Sequence, residues 1–248
     1  MTGSPLLVEE LGNRVVLRLN RPDVRNAIDL ATVGALHEAC DHLERHPRVA
    51  LLIGSGHTFA AGADIAQLRE RRRDDALAGI NSAIFARIHK LPMPVIALID
   101  GYALGGGAEL AYACDFRIGT PTTKIGNPEP SLGILAAAGA AWRLRELVGE
   151  PLAKEILLAG RVLNADDALA ARLLNEVVAA EDLEAAGHRL ADRIADQAPL
   201  AVRLTKSVFH APPEAHPLID DVAQAVLFET QDKFDRMTAF LERRKEKR

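Results

Sequence analysis

Two glutamates, Glu109 and Glu129, and two turns rich in glycine and alanine are the parts of this sequence best suited to chemistry. The first turn, Ala60-Ala61-Gly62-Ala63-Asp64-Ile65, lies between an apolar run and a helix-start signal. Amides at such an entrance lack intrahelical partners and can point at a developing negative charge. The second runs from Gly101 through Tyr102, Ala103, Leu104, Gly105, Gly106 and Gly107 into Ala108-Glu109-Leu110. Three consecutive glycines are costly in backbone entropy unless geometry demands them. Glu109 falls in the first turn of the next helix among apolar neighbours, where burial raises a carboxyl pKa. Glu129 stands between Pro128 and Pro130, which restrict the backbone that carries it. Each feature also has an ordinary reading: a tight connection, close helix packing, an acid favoured by a helix dipole, a solvated loop carboxylate. Together they describe acid–base chemistry beside a stabilised anion.

Other chemistries fail on spacing. The glycine run is neither GxGxxG nor a phosphate-binding loop ending in Gly-Lys-Ser/Thr. Ser55 lies in Gly54-Ser55-Gly56, which is not a nucleophile elbow. His42 and His46 have a helical metal-pair spacing but no third ligand, so no metal site is expected. Arg69, Arg71, Arg72 and Arg73, mixed with Glu70, Asp74 and Asp75, read as a solvated helix face.

The elements that must hold the two turns can be read from hydrophobic pattern. Leu6–Glu10 and Arg14–Leu19 read as strands around Gly12-Asn13, and Asp29 caps a helix to about Arg45, before Pro47. Val49–Ile53 and Pro94–Ile99 are buried strands. Asp64-Ile65-Ala66-Gln67 has capping-box spacing ahead of one long helix ending near Lys90. A short helix is expected over Ala108–Ala113, then strands at Phe116–Ile118 and Thr123–Ile125. From Ala140 onward the chain reads as helix, interrupted at Glu176–Ala179.

The 248 residues are 48% hydrophobic and carry 30 Lys and Arg against 34 Asp and Glu, a net charge of −4. That length sustains a large core, and the charge balance provides no basic field for nucleic acid. Cys40 and Cys114 lack a CxxC spacing and read as core thiols in a reducing compartment. No signal-like stretch begins at Met1 and no apolar run approaches 18 residues, so the expectation is a cytoplasmic protein without a membrane span.

The sequence resembles the enoyl-CoA hydratase/isomerase family, or crotonase superfamily. The likeness begins at Leu19-Asn20-Arg21-Pro22 with Asn26-Ala27 and continues through Phe59–Ile65 and Gly101–Leu110. It extends through Cys114-Asp115, Pro128-Glu129, Leu132-Gly133 and the tail Met237–Glu242. The chain departs from it at Ala136–Arg143, where hydratases usually carry a stretch like Pro-Gly-Ala-Gly-Gly-Thr-Gln-Arg.

The resemblance implies an α/β fold: a crotonase-like spiral of β-β-α units over residues 1–198, with a C-terminal helical trimerisation region over 199–248. It implies a homotrimer or a dimer of trimers. It also implies an acyl-CoA thioester substrate and no cofactor, coenzyme A being part of the substrate. Carried over by position, the amides of Ala63 and Gly106 form an oxyanion hole, and Glu109 and Glu129 are the acid/base pair. Arg25, Ala27, Ala61, Asp64, Ile65, Ala66, Leu104 and Gly105 flank the substrate, and Phe240 and Arg243 reach the CoA nucleotide. Hydration of a 2-enoyl thioester is the expected reaction. A Δ3,Δ2-enoyl-CoA isomerase, another acyl-CoA lyase or a non-catalytic acyl-CoA binder are the alternatives.

Overall fold

The computed structural model describes residues 3–246; Met1, Thr2, Lys247 and Arg248, which belong to the two terminal readings above, lie outside the described residues. Strands β1 (Leu6–Leu11) and β2 (Arg14–Leu19) pair antiparallel across Gly12 and Asn13, with Leu11 opposite Arg14. Helix α1 (Leu30–Arg45) follows, its first turn held by Asp29, whose carboxylate accepts from the Thr32 N–H and hydroxyl at 2.8 Å. Strand β3 (Val49–Gly54) then runs parallel to β2.

The single long helix expected after Asp64 is instead three: α2 (Ile65–Glu70), α3 (Arg73–Leu77) and α4 (Ile80–His89). Arg71 turns extended, at φ −66° and ψ 144°, and the Asp75 carboxylate accepts the Arg72 N–H at 2.8 Å to start the next helix. Gly79 adopts the left-handed conformation that ends it. The capping box is also only half formed. Asp64 accepts the Gln67 N–H at 3.1 Å, but the Gln67 side chain turns away to accept the Leu30 N–H.

Strand β4 (Val95–Ile99) enters the main sheet beside β3, and β5 (Tyr102–Leu104) leaves it to start a second sheet. Helix α5 (Gly106–Ala113) closes this β-β-α unit. The pattern repeats with β6 (Phe116–Gly119) beside β4 and β7 (Lys124–Gly126) beside β5. Helices α6 (Ala140–Val148) and α7 (Glu150–Ala159) follow, then β8 (Val162–Asn164), α8 (Ala165–Ala170), β9 (Glu176–Val177) and α9 (Leu183–Ala195). The main sheet is ordered β1-β2-β3-β4-β6-β9 and the small one β5-β7-β8. The expected α/β architecture is therefore present.

Three further features differ from the sequence expectation. Strand β5 occupies what reads as a glycine-rich turn, and β8 an apparently helical stretch. The third, α5, begins two residues early, at Gly106. Central strands β3 and β4 are buried along almost their whole length, as continuous apolar runs in parallel sheets require.

Residue contacts divide the chain into two compact units, one up to Ala191 and one from Asp192. The second contains α10 (Pro199–Phe209), α11 (Leu218–Phe228) and α12 (Gln231–Glu246). In it Phe209, Leu218, Val222, Phe234, Met237 and Phe240 are all exposed. Among the described residues no helix is long and apolar enough to cross a membrane.

Candidate active site

The first turn is stitched to the strands on both sides of it. Ala60 donates to the Tyr102 carbonyl and accepts from the Leu104 N–H, at 3.0 and 3.1 Å. Farther along, the Ile28 N–H donates to Gly62 and the Asp64 N–H to Ile28, at 2.8 and 3.1 Å. These two bonds bracket Ala63 and leave its own N–H outside the bridge. The buried Asn26 side chain anchors this neighbourhood by donating to the carbonyls of Ser55 and Thr58.

The second turn lies directly against the first. A side chain at Gly107 would place its Cβ 2.1 Å from the Ala60 carbonyl oxygen, so only glycine permits this approach. A Cβ at Gly106 would lie 3.4 Å from the Ala63 nitrogen. Gly106 is the first residue of α5 and has no intrahelical acceptor. Among the described residues neither the Ala63 nor the Gly106 N–H donates to a protein acceptor. Two neighbouring N–H groups on separate, glycine-bound turns can thus stabilise a negatively charged oxygen.

Glu109 is 3% exposed. Its Oε1 accepts the N–H groups of Ala138 and Ala140 at 2.7 and 3.1 Å, at the amino end of α6. Burial pushes its carboxyl up to about 7, and the charge of Glu129 adds to the rise. The backbone N–H groups of Ala140, Ala138 and Gly139 oppose the shift by favouring the carboxylate. The Ala136–Arg143 segment, where the sequence departs from the hydratase pattern, therefore holds Glu109 through its backbone. Trp142 does not line the cavity; it is half-exposed, with the Arg143 guanidinium 5.7 Å from its ring.

Glu129 opens a short 3-10 turn, Glu129–Leu132, and is buried rather than solvated. The Asn127 amide, itself bonded to the Tyr112 hydroxyl at 3.1 Å, donates to Glu129 Oε1 at 3.4 Å. Oε2 is buried without a hydrogen-bond partner. Burial raises the carboxyl pKa, against the opposing effect of its own backbone N–H and Asn127. Both carboxyls are thus held above the ordinary carboxylate range by burial, while the two N–H donors on Glu109 favour its charged form.

Both carboxyls line one cavity of about 160 Å³, together with Ala61, Ala63, Gly105 and Gly106. Ile65 also lines it, whereas Arg25, Ala27, Asp64, Ala66 and Leu104 do not. Arg25 contributes its carbonyl to the Ala61 N–H, Leu104 pairs with Ala60, and Asp64 caps α2. Ala27 donates its N–H to Val24, and Ala66 is exposed on α2. In the second unit Phe240 is exposed, and Arg243 donates to the Ala239 carbonyl. The cavity's apolar lining includes Leu68, Leu132, Ile134 and Leu135, and its remaining polar groups are Arg71 and Asn81. Arg71 thus departs from the solvated face expected of its cluster. Neither it nor Asn81 carries a spacing signal in the sequence, because the helix break that turns Arg71 inward is set by tertiary packing.

Three comparisons bear on this geometry. The profile described as enoyl-CoA hydratase/isomerase matches residues 11–247. The chain is similar to a crotonyl-CoA hydratase from Syntrophomonas wolfei, with 39% identity over 97% of this chain and 96% of that protein. A short-chain-enoyl-CoA hydratase from Clostridium acetobutylicum is 34% identical over 97% of this chain and 95% of its own length. The crystal structure of an enoyl-CoA hydratase from Bacillus anthracis superposes with a TM-score of 0.91 at 31% identity, covering 96% of both chains.

Proposed function

Because the chain belongs to the enoyl-CoA hydratase/isomerase family, we propose that it adds water across the 2,3 double bond of a 2-enoyl-CoA thioester. The observation that carries this reading is the pair of buried carboxyls facing one cavity beside two unpaired amides. The thioester oxygen accepts the N–H groups of Ala63 and Gly106. Glu109, as carboxylate, takes a proton from water while the hydroxide bonds to C3. The double-bond electrons pass to the thioester as an enolate, which the two amides stabilise. Glu129 then delivers its proton to C2, and proton exchange with solvent resets the two carboxyls. Coenzyme A enters as part of the substrate, and these steps use no resident cofactor.

Loss of the conjugated thioester absorbance on adding crotonyl-CoA tests the proposal. Faster conversion of a 3-enoyl-CoA would move the assignment to an isomerase, and no turnover of either would leave an acyl-CoA-binding protein.

Ala137 lines the cavity where related hydratases often carry glycine, and its methyl shortens the space for the acyl chain. We expect kcat/KM to fall steeply once straight-chain 2-enoyl-CoA substrates outgrow the short acyl groups that the cavity holds, by roughly 1–3 kcal/mol per methylene that no longer fits. Ala137→Gly should broaden the profile. A flat profile in the wild type would exclude this pocket limit.

The exposed apolar residues of the second unit support assembly as a homotrimer or a dimer of trimers. In that assembly Phe240 and Arg243 would serve the CoA nucleotide, and residues 199–248 would form the oligomerisation region. The buried, reduced thiols of Cys40 and Cys114 support a reducing compartment such as the cytoplasm.

A further inference from the structure

Arg71 is a cation on the wall of the catalytic cavity, and none of the described residues forms an ion pair with it. Its Nη1 donates to Asn81 Oδ1 at 3.4 Å. Neighbouring Arg69, Arg72 and Arg73 are exposed, and Arg73 is paired with Asp74. Only Arg71 of this cluster is half-buried, because the chain leaves α2 in an extended conformation at that residue.

Asn81 links this cation to the anion-stabilising turn. Its Nδ2 would lie 3.7 Å from a Cβ at Gly106, while its Oδ1 faces Arg71. Gly106, Asn81 and Arg71 therefore form a sequence leading away from the amide that receives the thioester oxygen. One side chain separates the two ends, on the wall of a cavity of about 160 Å³ that suits a short acyl group.

A purely hydrocarbon chain ending at Arg71 would remove water from the guanidinium without replacing its hydrogen bonds. A carboxylate would instead accept two parallel N–H bonds from the planar fork. Glu109 is engaged by the backbone of Ala138 and Ala140, and neither it nor Glu129 pairs with Arg71. The cation remains available for an anion that enters with the substrate.

We propose that Arg71 recognises a carboxylate at the far end of the acyl chain, making the preferred substrate a short 2-enoyl monothioester of a dicarboxylic acid. This specificity rests on the reading that the cavity holds the acyl group of a CoA thioester. Asn81 is a positioning residue that holds the guanidinium toward the cavity.

Binding of two saturated, unreactive analogues tests the proposal separately from hydration. Calorimetry should give glutaryl-CoA at least about a 10-fold lower Kd than pentanoyl-CoA, the discrimination expected of a charge-assisted hydrogen-bonded pair. Arg71→Met should bring the two Kd values within about twofold, and Arg71→Lys should retain part of the preference. Equal wild-type affinities would overturn the proposal without touching the hydratase reading. Equal weakening of both ligands by Arg71→Met would overturn it in favour of a contact to the CoA moiety. Failure to hydrate crotonyl-CoA or glutaconyl-CoA, despite selective glutaryl-CoA binding, would overturn the catalytic reading and leave carboxylate recognition standing.

Discussion

Glu109→Gln should lower kcat for crotonyl-CoA hydration by at least about 10²-fold, with a much smaller change in ligand affinity, since the amide preserves the shape of the acid. Glu129→Gln should do the same, because it removes the carboxyl assigned to proton delivery at C2. The pH profiles separate the two roles. Glu109 must be ionised to accept a proton from water, and burial places its carboxyl at about 7. In the wild type kcat/KM should therefore fall about tenfold per pH unit on the acid side of neutrality. The corresponding limb should be absent from the residual activity of Glu109→Gln. Near-normal turnover in either variant would remove that glutamate from the mechanism.

The same carboxyl makes a stability prediction of opposite sign. Its folded pKa of about 7 lies above the ordinary 4.5, so the folded state binds the proton more tightly than the unfolded chain. The associated stability is present below the unfolded pKa and is lost as pH rises through the folded one. At about pH 8 the ionised, buried acid costs roughly 3 kcal/mol relative to its protonated state. Glu109→Gln should consequently melt at a higher temperature than the wild type at about pH 8, with the gap closing toward about pH 5. A lower Tm for the variant across that range would show that the carboxylate's bonds to Ala138 and Ala140 outweigh its desolvation.

What could be read from sequence was set by local chemistry. The Gly12-Asn13 hairpin, the Asp29 cap and the apolar runs of β3 and β4 each declare themselves within a few residues. Ala108, Leu110 and Ala111 around Glu109 likewise signal a buried acid, and the glycine run signals the close approach made at Gly107. What could not be read depends on distant partners. Val162–Asn164 is a strand because β7 offers its edge, although the surrounding composition favours helix. The Ala138 and Ala140 N–H groups find Glu109 across about 30 positions of sequence, which no local spacing encodes. The inward turn of Arg71 falls in the same class. Periodicity alone carries the helix straight through it, whereas the Asp75 bond to Arg72 and the left-handed Gly79 divide it into three.

The other large effect should come from a backbone group that no side-chain deletion can remove. Gly106 begins α5, a position where proline is tolerated because its missing N–H has no intrahelical acceptor. The preceding residue, Gly105, has no Cβ to clash with the proline ring. Gly106→Pro should therefore fold while losing one of the two amides assigned to the thioester oxygen. The substitution also introduces a Cβ 3.4 Å from the Ala63 nitrogen and 3.7 Å from Asn81 Nδ2, both ordinary contacts. Gly106→Ala introduces that carbon and keeps the N–H, so the ratio between the two variants reports the loss of the donor together with the ring carbon that takes its place. We expect Gly106→Pro to turn over crotonyl-CoA about 10²–10³-fold more slowly than Gly106→Ala, the scale measured for loss of one oxyanion donor. The deficit should appear in kcat as well as in KM, because charge on the oxygen is greater in the enolate than in the bound thioester. Equal rates for two variants of similar Tm would mean that the Gly106 amide does not face the developing charge, and the oxyanion site would have to be rebuilt around Ala63 alone.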